Sequence, residues 1–248
     1  MARPTRWWRV IRMAEPPAAS SADATTGSEL REDVLRLDGR DKAASSASSK
    51  GAAYDAAVAT HVALLRGINV GGAGKVAMSD LRAAVASLGH TDIATYIQSG
   101  NVVFTTQDND AGTLALAAGL ERSIAETLGL QPHVIVLSCD ELAQVVRGNP
   151  YPNESNPRLL HAVFLGRDPE PDLEDRVAAA ERQAATKGSR DSARVVGRTI
   201  FLHTPDGFGR SELPALLARN GGPMAVGTSG TARNWATVTR LLALCANS

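Results

Sequence analysis

A clear period of apolar and polar positions begins only at His61. HVALL (61–65) is a short, fully apolar run of strand type, followed by a glycine-rich loop, RGINVGGAGK. Ser79 is then expected as an N-cap, Leu81, Val85 and Leu88 line one helical face, and Gly89 closes the helix. TYI (95–97) and VVF (102–104) flank QSGN (98–101), which predicts a tight hairpin turn because Gly and Asn accept positive φ. A second helix is predicted from Gly112 to Leu128, stopped by Gly129, and strand HVIVL (133–137) follows. Ser138 and Glu141 carry a capping-box signature for a helix ending near Arg147, before Asn149-Pro150.

The same order then recurs. HAVFL (161–165) is a strand, and Pro171 to Thr186 a helix with acidic residues favourably placed in its first turn. ARVV (193–196) and TIFLH (199–203) are joined by a two-residue turn, Gly197-Arg198, and Ser211 caps a helix reaching Arg219. A short strand is expected near Met224–Val226. Thr231 then opens a final helix with Trp235, Val238, Leu241, Leu242 and Cys245 on its inner side. Each half reads β-α-β-β-α-β-α, and the first six elements are in ferredoxin-like order, which gives an antiparallel sheet with helices on one face. The predicted class is therefore α+β, with two consecutive ferredoxin-like units. The first covers 59–148, 149–157 is a linker, and the second covers 158–248 with a C-terminal helix. Residues 1–58 are expected to be a disordered or flexible extension, since twelve of the twenty residues in 41–60 are Ala or Ser and no apolar period sets a face.

Composition narrows the functional classes. The 26 basic and 26 acidic residues balance, and the part beyond residue 58 is almost neutral as well. Non-specific nucleic-acid binding needs a basic field that displaces phosphate counterions, and this chain has none overall. Local patches remain compatible with that balance. No apolar stretch reaches the ~18–20 residues of a spanning helix, so no membrane partner is expected. The basic start is not followed by an apolar stretch of signal-peptide length. Cys139 and Cys245 have none of the spacing of a zinc site, and two cysteines in a chain of this length suit free thiols in a cytoplasmic, reducing setting. No cofactor or metal is expected.

Candidate chemistry concentrates in three polar segments. The connection from Arg66 to Met78 is longer than the usual ~2–6 residues of such a loop. Gly67, Gly71, Gly72 and Gly74 let backbone N–H groups turn inward while Lys75 reaches back, which is the makings of an anion nest. The phosphate-binding loop signature of nucleotide hydrolases fails at Asn69 and Val76, and the dinucleotide signature starts too far past the strand. In QSGN, Ser99 as a nucleophile would need a base within reach, and His90, His133 and His161 are the nearest by element. In TARNW (231–235), Thr231 and Trp235 have structural readings as cap and core anchor, whereas Arg233 and Asn234 do not. A guanidinium in the first turn of a helix calls for an anion or a carboxylate.

These strings, ALLRGINVGG (63–72), SLGH (87–90), TYIQSGNVVF (95–104) and TARNWATV (231–238), resemble in order and spacing the bacterial family of domain of unknown function 1697. Gly148-Asn149-Pro150-Tyr151 and HAVFL fit it too, so the resemblance covers about 61–244. It implies the paired ferredoxin-like architecture and supplies no activity. The expected site is a cleft for a small anionic, phosphorylated or nucleotide-like ligand, with Arg66, Lys75 and Arg233 pairing with charge. Gly67, Gly71 and Gly72 would cradle the ligand, with Asn69, Gln98, Ser99, Asn101 and Asn234 orienting it. Two other readings stand beside this one: a nucleic-acid module that stacks bases on the sheet face near Tyr96 and Phe104, and a structural or protein-interaction domain.

Overall fold

The computed structural model describes residues 59–69, 76–108, 111–219, 222–225 and 230–247; the expectations for 1–58 and for Gly71, Gly72 and Lys75 lie outside them. The first half runs β1 (His61–Arg66), α1 (Met78–Ala86), β2 (Thr91–Thr95), β3 (Asn101–Thr105), α2 (Thr113–Leu128), β4 (His133–Ser138) and α3 (Cys139–Arg147). The second runs β5 (Leu160–Phe164), α4 (Leu173–Ala185), β6 (Ser192–Val196), β7 (Thr199–His203), α5 (Glu212–Leu217), β8 (Thr231–Asn234) and α6 (Trp235–Asn247). The strand orders β2-β3-β1-β4 and β6-β7-β5-β8 correspond position by position. Every paired neighbour is antiparallel, so each half is a ferredoxin-like unit.

Local signals act where they were anticipated in several places. Ser138 accepts from the Glu141 N–H while the Glu141 carboxylate accepts from the Ser138 N–H, so α3 opens on a complete capping box. Gly129 ends α2 in the left-handed conformation. Elsewhere tertiary context prevails. β2 is TDIAT rather than TYI, with a bulge between Thr91 and Ala94, and Tyr96 already lies beyond the strand. Ser79 lies inside α1, whose N-cap is Ala77 without a side-chain bond. Ser211 gives α5 no side-chain cap; its hydroxyl donates to Asp191, whose other oxygen accepts from the Leu213 N–H.

Two corrections concern the C-terminal region. Met224 and Ala225 form a turn and a bend, not a strand. The fourth strand of the second sheet is instead TARN, paired through Thr231–Phe164 and Arg233–Ala162. The final helix therefore starts at Trp235 rather than Thr231, with Asn234 accepting from the Ala236 N–H.

Helices α1 and α2 cover one face of the first sheet around Leu65, Phe104 and Leu120. Helices α4 and α5 do the same for the second around Val163, Leu202 and Leu213. The remaining faces share a third core. Val62, Leu64, Val103, Ile135 and Leu137 meet Leu160, Ala162, Phe164 and Phe201, and the extra helices α3 and α6 pack into it with Leu142, Trp235, Val238 and Leu241. The helices thus occupy both faces of each sheet once α3 and α6 are included. Cys139, at the start of α3, and Cys245, near the end of α6, are joined by a disulfide with Cα atoms 5.9 Å apart. The expectation of two free thiols is corrected: they lie 106 positions apart in the chain, but the packing of α3 on α6 makes them neighbours.

Candidate functional site

The three polar segments come together where β1 leaves the first sheet beside β8 of the second. Arg66, the last residue of β1, donates to the carbonyls of Gly230 (2.8 Å), Ala225 (2.8 Å) and Met224 (3.3 Å), all in the second half. Arg233 points the other way. Its Nε donates to Asn101 Oδ1 at 2.5 Å, and one Nη donates to the Leu65 and Gly100 carbonyls at 2.8 and 3.2 Å. The other Nη donates to Thr231 Oγ1 at 2.7 Å and to the Ala232 carbonyl at 2.9 Å. These bonds employ every nitrogen of the guanidinium, whose five N–H donors match five neutral acceptors. Each half thus sends an arginine into the backbone of the other.

Asn101 explains why this geometry holds. It is completely buried; its amide group donates to the Tyr96 carbonyl and Ser99 Oγ, both at 3.1 Å, which leaves Oδ1 facing Arg233. Asn101 lies in β3, so its polar side chain serves this network and not the turn geometry anticipated for it. The turn's demand falls on Gly100, at φ +78°, where a Cβ would meet Leu65 Cβ at 2.8 Å and Ile68 Cδ1 at 2.9 Å. That close approach seats QSGN on the chain leaving β1, with the Leu65 N–H donating to the Gly100 carbonyl at 2.7 Å.

Asn69 performs the corresponding task for the loop. Its Oδ1 accepts from the Val76 N–H at 2.7 Å, and its Nδ2 donates to the carbonyls of Val76 (3.2 Å) and Gln98 (2.9 Å). One side chain therefore ties both ends of the loop to the turn. Asn69 and Ile97 hold φ values of 54° and 50°, an uncommon region for residues other than Gly. Gly67 is exposed at φ +88° with open space around it, so glycine is needed there for the backbone conformation, not for room. The Gln98 side chain is exposed. Ser99 has only Asn101 as a side-chain partner among the described residues, and no base is within hydrogen-bond reach. Asn234 departs from the cluster: on the strand's opposite face, it caps α6 and lies 3.5 Å from His161 Nε2.

Burial dominates the electrostatics here. Desolvation pushes the Arg233 guanidinium down to about 10, so it is still a cation at neutral pH, and no carboxylate among the described residues pairs with it. Arg66 is lowered by the same cause. The face required for base stacking is the one closed by the shared core, where Tyr96 is partly buried; Phe104 is fully buried on the helix side between His61 and His90. Among the described residues no group of His, Cys, Asp or Glu is arranged to hold a metal, and no helix is long and apolar enough to cross a membrane.

A chain of two ferredoxin-like units locked by reciprocal arginines is what this fold and junction define. It belongs to the family described as Protein of unknown function (DUF1697), whose model matches residues 58–201. The match stops before β8, so the strand that carries Arg233 lies beyond it. Among solved structures, the chain is similar to conserved bacterial protein SP0830 from Streptococcus pneumoniae, at 22% identity and a TM-score of 0.53, over 76% of this chain and 99% of that one. That likeness concerns the fold. No curated protein matches the chain.

Proposed function

We propose that this protein binds a small anionic ligand, phosphorylated or nucleotide-like, on the glycine-rich loop between Gly67 and Val76, with the QSGN turn as its rim. The observation supporting this reading is Arg233, a buried cation without a carboxylate partner among the described residues, bonded to the residues from which loop and turn depart. Neutral acceptors satisfy its hydrogen bonds but leave its charge uncancelled. An anion held nearby would gain on the order of 1 kcal/mol or more at an effective dielectric constant of about 20. Arg233 acts through that field, since its donors are all engaged; direct contact falls to the loop N–H groups, Lys75, Gln98 and Ser99. Binding is the extent of this reading, because no base among the described residues reaches Ser99.

The test is thermal-shift screening with sulfate, inorganic phosphate, nucleotides and sugar phosphates, followed by Lys75→Met. A rise in Tm that Lys75→Met weakens is expected. If no anion raises Tm, the reading fails. Full satisfaction of Arg233 favours a second reading, in which the signature segments only lock the two sheets and the protein serves a structural or interaction role. That reading predicts no response to any anion in the same screen.

A further inference from the structure

The shared core does not fill the space between the sheets everywhere. Where α3 faces the β6–β7 hairpin, a cleft of roughly 220 Å³ remains, floored by Ile135 and Leu137 of the first sheet and by Phe164 and Phe201 of the second. Protein interiors have few voids larger than a water molecule, and each empty one costs stability. This one opens to solvent beside Val196, one of the few large apolar side chains that the described surface exposes. Its rim carries one ion pair, Arg198 to Glu141 at 2.9 Å.

The two partners of that pair differ in what they have left to offer. Glu141 has both oxygens engaged, one by Arg198 and the other by the Ser138 N–H in the cap of α3. Turning toward a ligand would cost the helix its cap. Arg198 donates from a single nitrogen, so two nitrogens of its planar fork have no side-chain or backbone acceptor among the described residues. A fork with free donors above an apolar slot suits a carboxylate attached to an apolar body.

We infer that the cleft between α3 and the β6–β7 hairpin is a binding site for a small carboxylic acid with an aromatic or branched apolar body, its carboxylate on Arg198 and its body between the two sheets. An apolar cavity of about 150 Å³ accepts benzene, so this one takes a body of about ten non-hydrogen atoms. The site lies apart from the glycine-rich loop and does not depend on the anion reading for that loop.

The experiment titrates the full chain by calorimetry with sodium phenylacetate and benzoate, using phenylacetamide and inorganic phosphate as comparisons. Phenylacetate is expected to bind, the amide about tenfold or more weakly, and excess phosphate to leave the phenylacetate isotherm unchanged. Arg198→Met, on a surface hairpin, is expected to weaken phenylacetate by about tenfold or more. Val145→Trp, which fills the slot, should abolish binding. A second readout locates the ligand directly, through nuclear Overhauser contacts to Phe164 and Ile135. No binding by either acid, displacement by phosphate, unchanged affinity in Arg198→Met, or contacts elsewhere would each overturn the assignment.

Discussion

Replacing Arg233 by Met tests the junction most directly. Methionine keeps much of the aliphatic volume and removes all five donors. Asn101 Oδ1, Thr231 Oγ1 and the carbonyls of Leu65, Gly100 and Ala232 each lose that partner. Exchange of a buried cation for an apolar side chain can be neutral when its partners are exchanged as well, but backbone carbonyls cannot be exchanged. The Gly100 carbonyl keeps the Leu65 N–H, a buried acceptor left unmet costs about 1–3 kcal/mol, and some relaxation is expected among the others, so the loss should be about 3–5 kcal/mol. Urea unfolding followed by far-UV circular dichroism should show a lower midpoint with an unchanged slope. A cycle with Asn101→Ala should give a coupling of about 0.5–3 kcal/mol, because the two side chains bond directly. The exposed pair of Arg190 and Asp206 supplies the contrast, since water screens it and breaking it should leave the urea midpoint nearly unchanged. An Arg233→Met protein within about 1 kcal/mol of the parent would refute the clasp.

Three further outcomes follow from the same geometry. Gly100→Ala must hold φ +78° and push Leu65 and Ile68 away, so a loss of about 2 kcal/mol or more is expected in the same urea assay; a neutral result would mean that the turn does not rest on β1. His161, buried with its ring tilted against Phe208, is held down to about 3 against an ordinary 6.5, so the folded protein leaves it neutral while the unfolded chain takes up a proton. Its contribution to stability is present above pH 6.5 and falls as pH drops toward 3, by about 2 kcal/mol between pH 7 and 5; His161→Leu should flatten that part of the urea midpoint's pH profile, and an unchanged profile would remove His161 as its source. Thiol titration of native protein purified in air should find no free cysteine. Reduction of the 106-residue link should lower stability by up to about 4–5 kcal/mol, whereas two titratable thiols in the native protein would refute the bond.

Much of the architecture is a matter of local chemistry and is legible in the chain. The strand and helix periods, the Ser138–Glu141 capping box, the Gly129 stop and the Gly197-Arg198 hairpin all rest on residues within a few positions of one another, which is why both β-α-β-β-α-β-α halves could be read from the chain. The three segments of the junction were also visible, as polar strings that no local rule absorbed. Their roles were not. TARN has neither an apolar run nor a clean alternation; it becomes a strand because β5 offers an open edge, and Arg233 is tolerated in it because Asn101 and two carbonyls of the first sheet wait opposite. Asn101 looked like a turn residue, since its partner lies 132 positions away. The burial of both open sheet faces and the meeting of Cys139 with Cys245 are likewise products of one half packing on the other. Contacts of that range are selected by the whole fold at once, which is why a string of apparent ligand-binding residues first serves to hold two sheets together.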